Sequence, residues 1–342
     1  MKPITKKAGG PTTPLIREAT RADPARVDVS IVVVTWNSER WIEGCLQSLP
    51  QASGSLRCEV LVHDNASSDG SRRIAASHDG VRLLEADRNL GFAAGINRSI
   101  AESRGRYIFL LNPDCVVSAG AVAELVDFLD QNPSIAAAAP LLLDDAGKPQ
   151  REFQLRRLPT FRSLVAEILL VDKLFPENRQ IARYRYRDLH IPRSQLVEQP
   201  AAAALLIRRT IFDETGLFDE RYSPAWFEDV DYCRRLHERG HAIFLVPTAK
   251  VTHRGGSSRE HLSFAEFTDL WYRNLFRYAE KWLTAGQAET LRWTIVAGML
   301  LRCAATIAGA RDAGVPRFEA VRAYAGVFMR ALRRWDSASP SP

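Results

Sequence analysis

Short apolar runs alternate with amphipathic stretches through the first 140 residues of the chain. The run at 30–34, SIVVV, is apolar throughout, which is typical of a strand buried on both faces of a sheet. Further β-branched runs occur at 59–62, 81–84 and 107–111. Strands that alternate with helices predict a parallel sheet with right-handed crossovers. The helices predicted between these strands span residues 38–49, a short segment from 69, 92–103 and 118–130.

The pattern after residue 134 is less regular. Helical periodicity dominates from residue 263 onward. Arg and Tyr crowd the stretch RQIARYRYRDLHIPR, which favours a long basic loop over 177–193. The other predicted elements are strands at 135–143, 150–155, 201–207 and 242–246, and helices at 161–174 and 228–239.

Polar residues gather where three of the predicted strands end. Each cluster alone is typical of turn chemistry, because Asn, Asp and Pro form turns. Three clusters at successive strand ends would lie side by side on one rim of the sheet, where α/β proteins bind their ligands. The clusters are Thr35, Trp36 and Asn37; His63, Asp64 and Asn65; and Asn112, Pro113 and Asp114.

This rim offers the side chains that a nucleoside diphosphate requires. Asp64 is suited to bind the base or the ribose. Asp114, with Asn112 beside it, offers oxygen ligands to Mg²⁺ or Mn²⁺. The sequence has neither a GxxxxGK[ST] loop nor a strand followed by GxGxxG, which disfavours a P-loop or dinucleotide fold.

Two further segments could carry chemistry. In WFEDVD, residues 226–231, acidic residues suit the first turn of a helix, which explains one or two of the three carboxylates. The two aromatic residues could form a sugar-binding wall and raise the pKa of a carboxylate that acts as general base. His253, in VTHRGGSS, is either a structural histidine or the completion of a metal site in a mobile loop near phosphates.

Together these motifs resemble the family 2 inverting glycosyltransferases of the GT-A fold, especially their rhamnosyltransferase-like bacterial members. The matching stretches are SIVVVTWN, VHDNASSDGS, NLGFAAGIN, YIFLLNPDC, GLFDERY, WFEDVDYCRRL and VTHRGGSS, in the family's order over residues 29–258. The resemblance implies an α/β, Rossmann-like and mostly parallel central sheet flanked by helices, with a C-terminal helical extension. It also implies a nucleoside-diphosphate sugar donor, L-rhamnose as the best guess for the sugar, and a divalent cation, Mg²⁺ or Mn²⁺.

The resemblance assigns roles to individual residues. Asp229 matches the catalytic base, and Glu228 matches its acidic neighbour. Asn112 and Asp114 match the metal-binding DxD motif, and His253 matches the metal-associated histidine. The expected acceptor or sugar contacts are Trp226, Phe227 and Asp231, and the expected nucleotide contacts are Thr35, Trp36, Asn37, Asp64, Asn65, Asn89, Gly91, Asn97 and Asn112.

Two departures from the family pattern matter. The DxD motif reads NPD, so Asp114 is the one carboxylate expected on the metal. Four alanines at 201–204 replace a Gly-Ser-Ala-type segment on the acceptor side, which weakens any transfer of acceptor identity. The implied mechanism is a single displacement with one base, in which the diphosphate leaves without a proton.

The resemblance and the patterns together divide the chain. Residues 1–27 are expected to be a disordered lead-in without the apolar core of a secretory signal, and 337–342 a disordered tail. The GT-A catalytic domain is expected at 28–260, with its nucleotide-binding part at 28–140 and its acceptor-binding part at 141–260. Residues 261–336 form the helical extension. Scattered cysteines without a CxxC pair favour the cytoplasm.

Positive charge is concentrated near the C-terminus. Residues 271–336 hold 11 Lys and Arg against 5 Asp and Glu, a surplus equal to the net charge of +6 for the whole chain. The longest uncharged stretch there, 293–301, is too short to span a bilayer, so an integral protein is not expected. One apolar stripe predicts either binding to an anionic membrane or packing on the catalytic domain. It comprises Phe318, Val321, Ala325, Phe328, Leu332 and Trp335.

Three other functions compete with glycosyl transfer to a saccharide or polyprenyl-linked acceptor. A sugar-phosphate nucleotidyltransferase would carry a glycine-rich loop after the first strand, whereas the first glycine there is Gly44. An inactive nucleotide-sugar-binding protein would not be expected to keep Asp114, Asp229 and His253 together. Nucleic-acid binding ranks last, because the basic C-terminal region has no recognisable reader motif.

Overall fold

The computed structural model describes residues 27–171, 175, 178–189, 191–255, 260–310 and 314–335. The expected lead-in, apart from residue 27, and the expected tail lie outside these residues. The strands are β1 (Val29–Thr35), β2 (Cys58–Asp64), β3 (Val81–Glu85), β4 (Tyr107–Leu111), β5 (Cys115–Val117), β6 (Ile135–Leu143), β7 (Leu155–Arg156), β8 (Gln195–Val197), β9 (Gln199–Pro200), β10 (Ala204–Arg208) and β11 (Ala242–His253). The helices are α1 (Glu39–Ser53), α2 (Ser71–Ser77), α3 (Phe92–Glu102), α4 (Ala121–Gln131), α5 (Arg151–Gln154), α6 (Phe161–Ile168), α7 (Arg179–Tyr184), α8 (Arg209–Thr215), α9 (Glu228–Glu238), α10 (Phe264–Trp282), α11 (Ala285–Ile307) and α12 (Arg317–Arg333).

The central sheet has the strand order β3-β2-β1-β4-β10-β6-β11-β5, and β8 pairs with β11. The four strands from β3 to β4 are parallel, as the sequence predicts. Beyond β4 the sheet is mixed, because β10 runs antiparallel between β4 and β6. Strands β6 and β11 pair in parallel and run in the same direction as β1 to β4. The expectation of a mostly parallel sheet is therefore confirmed, with β5, β8 and β10 as the strands of opposite direction.

The apolar run in β1 is buried on both faces, as its composition predicts. Val29, Ile31 and Val33 face a core that also contains apolar residues of α1 and α4. Val32 and Val34 face a second core, which α3 and α9 cover. Helices therefore flank both faces of the sheet, and the polar ends of its parallel strands share one rim.

Two predicted elements were wrong. The segment 150–155 is not a strand but α5 followed by the two-residue β7. The buried side chain of Gln154 explains this, because it accepts a hydrogen bond from the backbone N–H of Leu142 and donates to the carbonyl of Pro140. The segment predicted as a basic loop contains α7. The helix predicted at 161–174 ends as α6 at Ile168, and residues 172–174 lie outside the described residues.

The C-terminal helices pack together around a third apolar core, which also includes residues of α6. Ser263 and Thr284 begin α10 and α11 with capping boxes. By length and composition α11 could cross a membrane, and 39% of its most apolar window is buried in the protein. In α12 the buried face differs from the predicted stripe, since it consists of Ala320, Ala323, Tyr324, Val327 and Ala331.

Candidate active site

The ends of β1 and β2 meet in register at one rim of the sheet. Thr35 pairs with Asp64, and the backbone N–H of Asn65 donates to the carbonyl of Thr35 at 2.9 Å. One oxygen of Asp64 accepts hydrogen bonds from Ser67 and pairs with Arg72 at 3.1 Å. The other oxygen of Asp64 and the hydroxyl of Thr35 are buried without a partner in the described part of the chain. Buried polar atoms are normally satisfied, so these two are positioned for a ligand.

A small cleft of about 50 Å³ opens at this rim, and we call it the rim cleft. Five predicted contacts line it, from segments that are far apart in the chain. The nucleotide contacts among them are Thr35, Trp36, Asn65 and Asn89, and the predicted sugar contact is Trp226. Leu262, which the sequence analysis did not single out, lies on the same wall.

Gly91 allows the two sides of the rim cleft to come together. Its φ is +89°, and a Cβ there would lie 2.9 Å from the carbonyl oxygen of Pro224. The next residue, Phe92, donates its N–H to that carbonyl at 2.7 Å. Any larger residue at 91 would push away the segment that carries Trp226.

Two predicted nucleotide contacts use their side chains within the protein. The amide of Asn97 donates to the carbonyl of Phe218 and accepts from its N–H, both at 2.9 Å. The side-chain Oδ1 of Asn37 accepts from the N–H of Ser68 at 2.8 Å. Asn97 therefore stabilises the loop that contains Phe218, which we call the 218 loop. Asn37 links two turns at the rim.

Asp114 and His253 form a buried pair beside the rim. The Nε2 atom of His253 lies 3.6 Å from Oδ1 of Asp114, and this oxygen has no hydrogen-bond partner among the described residues. Gln150 lies 2.9 Å from Nδ1 of His253, and the ring of Phe153 stacks on the imidazole. Burial lowers the pKa of His253, so its neutral form is favoured. This arrangement offers one nitrogen and one oxygen to a divalent cation.

Two neighbours differ in how well they fit such a cation. Asn112 is half-buried, and its backbone N–H donates to the carbonyl of Ala203, which fixes the NPD turn. Cys115 lies close enough to Asp114 and His253 to count as a third ligand. Burial and Asp114 raise the pKa of its thiol, which contacts the carbonyl of Ala203, so the metal-binding thiolate is disfavoured.

Asp229 lies at the start of α9 and contacts the alanine segment before β10. Its Oδ2 accepts a hydrogen bond from the N–H of Ala202 at 3.2 Å, and its Oδ1 accepts one from Val230 at 2.8 Å. Burial raises its pKa. Burial and the charge of Asp229 raise the pKa of Glu228 well above its ordinary value, which favours the protonated form of Glu228. The backbone N–H groups of Ala202 and Val230 favour the charged form of Asp229, and the resemblance implies the role of base for this residue.

Asp231 and Phe227 point away from the rim cleft. Asp231 is fully buried and pairs with Arg235 at 3.1 Å and Lys281 at 2.8 Å. Phe227 packs against Trp271 in the C-terminal core. Two residues on a helix differ by about 200°, so Asp229 and Asp231 face opposite sides, a signal that the spacing in WFEDVD already contained.

The backbone around Trp226 is strained. Trp226 and Phe227 have φ values of +74° and +76°, a conformation that is unusual for large side chains. Such strain persists where the surroundings enforce it, and it concentrates at functional sites. Here Asn274 donates to the carbonyls of Ala225 and Trp226, and so helps to hold the turn.

Sequence reasoning missed Gln150, Phe153 and His261. His261 packs edge-on against Trp36 and contacts the carbonyl of Asn37 at 2.7 Å. Gln150 and His253 are 103 residues apart, and no local pattern links them. Residues 256–259 of the loop after His253, which the sequence predicts to be mobile and near phosphates, lie outside the described residues.

Comparison with known proteins decides the family. Residues 30–192 match the family described as glycosyl transferase family 2. An N-acetylglucosaminyl-diphospho-decaprenol L-rhamnosyltransferase of Mycobacterium tuberculosis is 30% identical over 290 residues, which cover 80% of this chain and 90% of the relative. The chain belongs to glycosyl transferase family 2. It is a glycosyltransferase and is similar to a rhamnosyltransferase, as its motifs predict.

Solved structures support the GT-A fold. The mannosyltransferase PcManGT from Pyrobaculum calidifontis, in complex with GDP-Man and Mn²⁺, matches 92% of this chain and 89% of its own, with a TM-score of 0.51 and 16% identity. GalNAc-T7 with UDP, GalNAc and Mn²⁺ matches 92% of this chain with a TM-score of 0.55 and 14% identity. This chain spans 57% of the GalNAc-T7 structure. Both likenesses establish the architecture of this glycosyltransferase.

Proposed function

We propose that this glycosyltransferase moves L-rhamnose from a nucleoside diphosphate to a hydroxyl of a lipid-linked saccharide, in the synthesis of a cell-surface polysaccharide. One observation carries the proposal. The segment 201–203 accepts a hydrogen bond from the NPD turn through the carbonyl of Ala203 and donates one to Asp229 through the N–H of Ala202. Asp229, the proposed base, and the NPD turn, which we propose faces the donor phosphates, therefore contact the same short segment. The rhamnosyltransferase relative is named for a lipid-linked acceptor.

The chemistry follows from the two carboxylates of α9. Asp229 takes the proton of the acceptor hydroxyl while that oxygen bonds to the anomeric carbon on the face opposite the diphosphate. The bond from this carbon to the diphosphate oxygen breaks, and the diphosphate leaves with the electron pair. One base is sufficient, because this leaving group needs no proton, and the single displacement inverts the centre.

Asp114 and His253 fit a divalent cation, Mg²⁺ or Mn²⁺, with Asn112 beside them. The fit rests on the unpartnered Oδ1 of Asp114 and on Nε2 of His253, while Gln150 fixes the other ring nitrogen. Such a cation would neutralise charge on the departing diphosphate. Both structural neighbours are described with Mn²⁺ and a nucleotide or nucleotide sugar.

The C-terminal helices support a location at the cytoplasmic face of a membrane. Large apolar side chains are exposed on α11 and at the start of α12, and we call this set the apolar face. Arg292 donates to the carbonyl of Ala331, and Cys303 contacts that of Val321, so the two helices are antiparallel. The apolar face comprises Trp293 (51% exposed), Leu300 (54%), Leu301 (40%), Ile307 (72%) and Phe318 (80%).

Basic residues accompany the apolar face on α12. Arg322 and Arg333 are exposed on the same helix as Phe318, and the exposed apolar residue Leu332 directly precedes Arg333. The predicted stripe is divided, because Phe328 and Trp335 pack against the C-terminal core whereas Phe318 and Leu332 are exposed. A basic helix with an exposed apolar side suits the headgroup region of an anionic leaflet.

The test is transfer measured by mass spectrometry. The enzyme is incubated with Mn²⁺, a panel of nucleoside-diphosphate sugars and N-acetylglucosamine linked to a short-chain prenyl diphosphate. We expect one deoxyhexosyl group to be added from the L-rhamnose donor, and none with Asp229→Asn on the same time scale. Transfer of another sugar would overturn the choice of rhamnose. If no sugar is transferred from any donor, the proposed lipid-linked acceptor is wrong.

A further inference from the structure

A second cavity lies beside the segment 221–226, apart from the rim cleft. The first two residues of this segment line the second cavity, whereas Pro224, Ala225 and Trp226 line the rim cleft. Its volume is about 190 Å³, and its walls are basic and aromatic except for one acidic residue, Glu280. The residues that matter below are Arg221, Tyr222, Arg273, Arg277, Lys281 and Trp335.

Two of the four basic residues that line this cavity have carboxylate partners. Arg221 pairs with Asp219 at 2.7 Å. Lys281 pairs with Asp219 at 2.9 Å and with Asp231 at 2.8 Å. The charge of these two residues is therefore balanced inside the protein.

Arg273 and Arg277 have no ion pair in the part of the chain that the structure describes. Arg273 donates to the carbonyl of Ser223 at 2.7 Å, and its Nε is buried without a partner. Arg277 donates to the carbonyl of Arg221 and to the side chain of Asn274. All of these acceptors are neutral. Asp269 acts on Arg273, and Asp219 on Arg277, only through charge and without an ion pair among the described residues.

The nearest carboxylates are committed elsewhere. Asp269 is engaged by Arg330 and by the indole N–H of Trp335. Glu280 lies 3.5 Å from Arg334. The cavity therefore keeps a surplus of positive charge even when the acidic residues around it are counted.

This surplus is costly in the free protein. Burial lowers the pKa of Arg273 and of Arg277, and the charges of Arg273 and Arg221 lower that of Arg277 further. Partly buried charges of like sign are unfavourable unless a counter-charge joins them. A guanidinium binds phosphate oxygens through two parallel N–H donors, which makes phosphate groups the matching anions.

We propose that Arg273 and Arg277 form a binding site for a phosphate or diphosphate group, separate from the site of the sugar donor. The site is joined to the rim cleft through the carbonyls of residues 221 and 223, which the two arginines hold. The phosphate could come from the diphosphate of a lipid-linked acceptor, which rests on the proposed function, or from an anionic lipid headgroup. Tyr222 and Trp335 wall the same cavity.

The first experiment measures binding of inorganic pyrophosphate by calorimetry, with EDTA present and no donor or acceptor. We expect the full-length wild type to bind, and the double variant Arg273→Gln/Arg277→Gln to lose affinity by about tenfold or more, as expected for lost charge-assisted hydrogen bonds. Arg273→Lys/Arg277→Lys should keep part of the binding. Arg239→Gln, an exposed arginine at the end of α9, should bind like wild type.

Thermal unfolding separates binding from a structural role. Without anion, the double glutamine variant should melt at or above the wild-type temperature, because charge repulsion has been removed. Pyrophosphate should raise the melting temperature of wild type and not that of the variant. A rise of equal size in both proteins, or no binding by wild type, would overturn the proposal. Neither result depends on glycosyl transfer, so failure here is distinct from failure of the proposed function.

Two further measurements with Arg277→Gln distinguish the sources of the phosphate. A raised KM for a prenyl-diphosphate acceptor at unchanged donor KM identifies the acceptor diphosphate. Weaker flotation with phosphatidylglycerol vesicles, at unchanged KM for a short soluble acceptor, identifies a lipid headgroup. If neither value changes, pyrophosphate binds only adventitiously and the proposal is overturned.

Discussion

The rim of the sheet and the last two helices, α11 and α12, differ in the kind of surface that they leave unsatisfied. At the rim, buried polar atoms of Thr35, Asp64 and Asp114 have no partner within the described residues. On α11 and α12, the buried polar residue Arg292 is fully engaged by Glu289 and Ala331, whereas Ile307 is 72% exposed. One region is short of hydrogen-bond partners, and the other is short of apolar cover.

The difference indicates two kinds of ligand. Unpartnered buried oxygens are stabilised by a polar, charged ligand such as a nucleoside diphosphate with its cation. Exposed apolar side chains beside arginines are stabilised by a lipid surface. The predictions below change one region at a time and ask whether the other is affected.

The largest effect is expected from Asp229→Asn. We expect turnover to fall by about 10²- to 10⁴-fold, since the base is lost, while donor affinity stays near wild type. Steady-state kinetics of transfer measure both values. Glu228→Gln should keep turnover within a few-fold; if it loses turnover while Asp229→Asn does not, the base has been assigned one residue away.

The cation site is tested through a residue that does not touch the cation. Gln150→Ala should raise the Mn²⁺ concentration needed for half-maximal activity by about 10- to 100-fold, because His253 loses the group that orients it. A metal titration of transfer activity gives this value, and excess EDTA should abolish activity of wild type. Unchanged metal dependence in Gln150→Ala, or full activity in EDTA, would contradict the site.

The apolar face is tested by adding charge to it. Leu300→Glu/Phe318→Glu should weaken binding to phosphatidylglycerol vesicles by about tenfold or more, because two exposed apolar side chains no longer enter the leaflet. Flotation measures the bound fraction, and transfer to a short soluble acceptor should stay at the wild-type rate. Leu196→Glu, at an exposed leucine on β8, is the control. Equal flotation of wild type and both variants would show that the apolar face does not bind the membrane.

The smallest effect concerns stability and pH. Burial raises the pKa of Glu228 above its ordinary range, so protonated Glu228 is favoured in the folded state. The stability from this group is present at low pH and is lost as pH rises through the raised pKa. Glu228→Gln should therefore become more stable than wild type as pH rises from 5 to 9, by denaturant midpoints. Parallel curves for the two proteins would contradict the raised pKa.

Much of the rim could be predicted from sequence because its signals are local. A buried strand such as 30–34 shows as an apolar run, and the residue that follows it must lie at the rim. The roles proposed for Asp114 and Asp229 came from the resemblance of two short segments, NPD and WFEDVD, to motifs of the family. Thr35, Trp36 and Asn65 then lie together in the structure because their strands are parallel neighbours.

Long-range partners could not be predicted in this way. The side-chain amide of Asn97 could bond a nucleotide as well as the backbone of Phe218. Only the fold shows that it bonds Phe218. Gln150 belongs to a segment that was wrongly predicted as a strand and instead precedes α5. The uncompensated charge of Arg273 and Arg277 depends on which acids the neighbouring arginines occupy, and composition does not reveal that.

The central claim is a single displacement with Asp229 as the one base, and the anomeric configuration of the product tests it most directly. Wild-type enzyme is given donor and acceptor, and the coupling constants of the new glycosidic bond are read by NMR. The account predicts a configuration opposite to that of the donor sugar. A product with the configuration of the donor would require a second displacement or a retaining mechanism, and would contradict the role given to Asp229.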